Sequence, residues 1–109
     1  MHLLNFNIFA ETIAKLPAGA ILKALELESK MLEYEWENYR LYLPEEAYSI
    51  FCFRQFVRHT VFGKTPARCM PLPRNQVEFY RQTVVRLIEA KELPESALEQ
   101  FEQTFSSPH

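Results

Sequence analysis

Residues 18–43, AGAILKALELESKMLEYEWENYRLYL, place apolar side chains on two opposite faces of a helix. With Leu22 at heptad position a, the a and d positions are Leu22, Leu25, Ser29, Leu32, Trp36, Tyr39 and Leu43. All but Ser29 are large and apolar, at the alternating spacing that keeps residues on one helical stripe. Nearly opposite run Ala20, Ala24, Leu27, Met31, Tyr34, Asn38 and Leu41. Lys23, Glu26, Lys30, Glu33, Glu37 and Arg40 form a charged stripe between the two. A helix apolar on one face packs once, whereas this one needs cover on two sides. The stretch predicts one long central helix lying as a layer between two others, from its own chain or from a partner.

Composition agrees with a helical chain. There are fourteen acidic residues, all of them Glu, and only two Gly. Glu forms helices well, while Asp prefers caps and turns. A chain of 109 residues that is 48% hydrophobic suffices for one domain that buries roughly two-thirds of its unfolded-state surface.

Leu-Pro recurs as punctuation at Leu16-Pro17, Leu43-Pro44, Leu72-Pro73 and Leu93-Pro94. Proline suits a helix start, where its missing N–H is not needed. Five residues beyond each Leu stands an apolar partner: Ile21, Tyr48, Val77 and Leu98. These are the positions of a hydrophobic staple with Pro as N-cap. The remaining helices are expected over residues 5–15, 44–62, 73–92 and 94–105. Gly63 stops the third helix and GKTPARCMPL follows as a loop. Joins with almost no linker at Leu43-Pro44 and Leu93-Pro94 favour corners over hairpins. The expected fold is all-α: a compact, irregular, orthogonally packed domain of about five helices built around the long central one, within residues 1–105. A disordered tail is expected at 106–109.

Net charge is only −2, but its distribution is uneven. No acid lies between Glu46 and Glu78, an interval that holds Arg54, Arg58, Lys64, Arg68 and Arg74. Guanidinium groups interleaved with Phe51, His59 and Phe62 suit phosphate oxygens or a stacked base. The simpler expectation pairs these cations with the surplus glutamates. Glu26, Glu33 and Glu37, like Glu28 and Glu35, read as a solvated face. No Glu-x-x-His pair of the helical di-metal type occurs in the sequence, and no metal or cofactor is expected.

Cys52 and Cys69 are too few and too far apart for a CxxC pair or a zinc site. Cys69, beside Arg68, has the setting of a reactive thiol, and His59 is its one candidate base. Cys52, between Phe51 and Phe53, reads as core. No run approaches the ~18 apolar residues of a membrane span, and the N-terminus lacks a basic leader region. The expected location is the cytoplasm.

The sequence thus favours a small non-catalytic protein-interaction or regulatory module that forms a homodimer or binds another protein. The expected contact face is Leu27, Met31, Tyr34 and Leu41, on the second stripe of the central helix. The first alternative is nucleic-acid or polyanion binding through Arg54, Arg58, Lys64, Arg68 and Arg74. A more distant one is an enzyme using Cys69 and His59. Tyr34, Trp36, Tyr39, Tyr42 and Tyr48 are a further aromatic group suited equally to core or interface.

Overall fold

The computed structural model describes residues 6–25, 27, 45–63 and 72–105, with the backbone alone at 45–48. Five helices lie in these segments: α1 Phe6–Lys15, α2 Ala18–Ala24, α3 Glu45–Phe62, α4 Arg74–Glu89 and α5 Ser96–Phe105. No strand occurs among the described residues, and the fold is all-α. The Cα radius of gyration is 12.9 Å, matching the about 13 Å expected for a compact domain of this length.

Proline opens helices as the sequence predicts. Pro17 (φ −63°, ψ 149°) and Pro73 (φ −57°, ψ 140°) are extended N-caps of α2 and α4. Their carbonyls accept the first helical bonds, from Ala20 N–H at 2.9 Å and from Gln76 N–H at 2.9 Å. The carbonyl of Pro94 likewise accepts from Ala97 N–H at 2.9 Å, although the regular α5 starts only at Ser96. Ile21, Leu72 and Leu93 are buried in one apolar cluster, with Leu16, Val77 and Leu98 packed against it. In three of the four staples, therefore, one member lies in the core and the other packs against it. The fourth, Leu43 with Tyr48, falls outside the described side chains.

The helix that begins at Ala18 does not continue as one rod to residue 43: α2 ends at Ala24, with Leu25 as its C-cap. Leu25 N–H is shared between the carbonyls of Ile21 and Leu22, at 3.0 and 3.2 Å. The cause lies in the two faces themselves. Leu25 belongs to the first stripe and Leu27 to the second, yet both are buried in the same cluster. On a continuous helix two residues at that spacing point apart. Ending α2 at Ala24 lets one core take both. The rest of the two stripes, residues 28–43, lies outside the described residues.

Two other helix ends use the left-handed backbone region. Gly63, at φ 70°, ends α3, and its N–H bonds the carbonyl of His59 at 2.8 Å. A glycine in this conformation is the kind of helix stop expected there. At the end of α4 the same conformation falls on a lysine, Lys91, at φ 62°. Lys91 N–H reaches Ile88 O at 2.9 Å, and Glu92 N–H reaches Leu87 O at 2.8 Å. That pair of bonds is a Schellman motif, which shortens α4 relative to the expected 73–92. The chain then turns so that Leu93 is buried.

Packing brings α5 against α4, α1 against α3 and α2 against α4. An unbroken series of aromatic contacts crosses these layers. Phe6 and Phe9 of α1 meet Phe79 and Tyr80 of α4, with ring centroids 5.6 to 6.2 Å apart. Tyr80 meets Phe53 of α3 at 4.7 Å. Phe53 and Phe56 then meet Phe101 at 6.4 and 5.7 Å, and Phe56 meets Phe105 at 5.6 Å. All of these pairs are edge-on or tilted, the geometry that sets a positive ring edge against a negative face. Phe79, Phe101 and Phe105 are thus covered by α1 and α3 and do not depend on α4 and α5 alone.

Lys91 supplies a test of this architecture. A non-glycine residue in the left-handed region costs roughly 1–2 kcal/mol, partly offset by the entropy that glycine loses on folding. Lys91→Gly is expected to raise stability by about 0.5–1 kcal/mol in urea denaturation. A lowered midpoint would show that the Lys91 side chain contributes more than its backbone conformation costs. Leu93→Ala, just beyond it, is expected to cost about 2–5 kcal/mol by emptying a buried site.

Candidate functional site

The polar groups inside the fold are the first place to look for chemistry. Ser49 and Gln76 are buried, and Tyr80 is fully inaccessible at 0% exposure. Ser49 Oγ donates to Gln76 Oε1 at 2.7 Å and lies 3.2 Å from the Tyr80 hydroxyl. A serine hydroxyl has one hydrogen. Because Gln76 takes it, Tyr80 is the donor to Ser49. Gln76 and Tyr80 are placed for this by their spacing of four on α4, while Ser49 faces them from α3. Burial pushes the Tyr80 phenol far above its usual range, with the hydrogen bond that it donates to Ser49 opposing the rise and the neighbouring Cys52 adding to it. A phenol so held stays neutral and out of reach of substrate. Its role is to join α3 to α4.

Two arginines act on helix ends. Arg54 Nε donates to the carbonyl of Leu25 at 2.9 Å. The two terminal nitrogens of Arg86 donate to Ile13 O, at 3.0 Å, and to Leu16 O. Carbonyls at a helix C-terminus have no partner within the helix and carry the negative end of its dipole. A guanidinium answers both needs, and its fork spans two acceptors at once. Arg86 fastens the end of α1 to α4, and Arg54 fastens the end of α2 to α3.

On the surface, Arg81 of α4 forms a two-point contact with Glu102 of α5 and a further bond with Glu78. The Glu102 hydrogen bond is the main cause that raises the Arg81 guanidinium above its usual value. The Gln82 amide and then Arg81 hold the Glu78 carboxyl below the usual carboxylate range.

The residues expected to matter from sequence distribute as follows. Of the basic set, Arg54 directs one N–H into the backbone, Arg58 is half-buried, and Arg74 is exposed on the first turn of α4. Lys64 and Arg68 lie outside the described residues. Cys52 is a buried core thiol, as its phenylalanine neighbours suggest. His59 is exposed, and its proposed partner Cys69 is not among the described residues. Of the expected contact face, Leu27 is 4% exposed and belongs to the chain's own core. Met31, Tyr34 and Leu41 fall outside the described residues, as do Trp36, Tyr39 and Tyr42.

Along α3 the polar Gln55 is buried, whereas Val61 and Phe62 are exposed at 36% and 43%. Arg58 and Phe62 stand one turn apart, so they share a face. Ile8 of α1 is the other exposed large apolar side chain among the described residues. Those residues hold no group of three metal-ligating side chains, and no helix among them is long and apolar enough to cross a membrane. Comparison with protein-family models, with curated proteins and with solved structures finds no match to this chain.

Sequence reasoning missed Arg86, Ser49 and Gln76. A cation set among Val84, Val85, Leu87 and Ile88 was a usable signal for the first. The four-residue spacing of Gln76 and Tyr80 was one for the network.

Arg86 and Arg81 separate a partly buried backbone clamp from a surface bridge. Charge-assisted hydrogen bonds contribute about 1.5–3 kcal/mol, so Arg86→Met is expected to cost about 2–3 kcal/mol in urea denaturation. Arg81→Met, at a partly exposed bridge, is expected to cost less than about 1 kcal/mol. Equal losses would mean that the two carbonyl contacts do not hold α1.

Tyr80 gives a pH signature. Its folded value lies above the unfolded one, so its share of stability is whole below the unfolded value of about 10 and is lost as pH rises beyond it. Tyr80→Phe is expected to cost about 1 kcal/mol at neutral pH and to flatten the alkaline fall. An alkaline limb of unchanged steepness in Tyr80→Phe would place the cause elsewhere.

Proposed function

We propose that this chain is a small non-catalytic helical module for protein–protein interaction that associates with a second copy of itself. The observation that supports this reading is the exposed apolar pair Val61 and Phe62 on the last turn of α3. Single exposed apolar residues are ordinary. Two adjacent ones ending the helix that supplies Phe53, Phe56 and Val57 to the core extend an apolar surface outwards. Arg58 on the same face as Phe62 adds a residue type that, with aromatics, is enriched in interfaces. The polar groups best placed for chemistry, Ser49, Gln76 and Tyr80, are occupied in holding helices together, which favours a binding role over a catalytic one. A buried thiol at Cys52 suits the reducing environment of the cytoplasm, the location proposed.

Met31, Tyr34 and Leu41 remain the sequence-derived candidates for the rest of the contact, with Leu27 withdrawn into the core. Light scattering at tens of micromolar is expected to return the mass of a dimer. Phe62→Glu should shift it towards monomer while leaving the helical circular dichroism intact, because Phe62 is exposed. Tyr34→Glu tests the sequence-derived face in the same assay. A parent protein that stays monomeric at these concentrations would refute self-association.

A further inference from the structure

We draw no further inference here: the strongest candidate, the exposed apolar end of α3 at Val61 and Phe62, belongs to the surface already proposed for self-association, and nothing in the structure shows what else covers it.

Discussion

Tyr80 is the point through which α1, α3 and α4 are tied together. Its ring lies 4.7 Å from Phe53, 5.6 Å from Phe6 and 6.2 Å from Phe9, and its hydroxyl is within 3.2 Å of Ser49 Oγ. An aromatic residue brings a large apolar area together with a polar tip that must find a partner when buried. Here the ring satisfies the apolar requirement across three helices, and the tip is satisfied by a serine that is itself satisfied by Gln76. A leucine at this position would fill much of the space but would leave the Ser49 oxygen without its donor. The network thereby fixes the register of α3 against α4, since sliding either helix by one residue turns one partner away. Apolar contacts alone tolerate such slips more readily.

The arginine contacts address a different difficulty, which is the shortness of the elements around this centre. α1 has 10 residues and α2 has 7, below the ~12–15 at which isolated helices become even marginal in water. Each has a C-terminal end whose carbonyls need donors. Supplying those donors from α3 and α4 makes the two short helices depend on the larger ones for the completion of their own hydrogen bonding. Secondary and tertiary structure are then formed together. The same dependence explains why α2 stops where it does: Arg54 satisfies the carbonyl of Leu25, while Leu25 and Leu27 turn into one core.

What was legible in the sequence follows from which interactions leave a mark on residue type. Proline at a helix start and glycine in a left-handed stop are backbone demands that few other residues meet, so Pro17, Pro73 and Gly63 could be read directly. Phe9, Ile13, Val84 and Leu87 could be read from periodicity. The end of α2 could not, because the stripe continues through it and the acceptor that helps close it is a backbone carbonyl. Backbone acceptors are present at every position and distinguish none. Lys91 was hidden for the opposite reason: it occupies a conformation against its own preference, under the pull of the bonds to Leu87 and Ile88 and of Leu93 entering the core. Within the basic interval nothing in residue type set Arg54 apart, because charge reads as a surface property. Arg54 shows that a guanidinium can face inward when a carbonyl awaits it and its stem has apolar surface to cover.

The exposed end of α3 follows from how far its partners reach. The aromatic series runs out at Phe56, where Phe101 and Phe105 of α5 close over it. Val57 is still fully buried, but from His59 onward the helix proceeds with Val61 and Phe62 exposed. At 1.5 Å per residue the distance from Val57 to Phe62 is about 8 Å, roughly a turn and a half beyond the cover. A helix extended past its core for geometric reasons alone would gain solubility from polar residues in that overhang. This one ends in valine and phenylalanine before Gly63 stops it. The side chains there are of the kind that the rest of α3 buries, and under the proposed self-association a second copy would complete the cover that α5 begins.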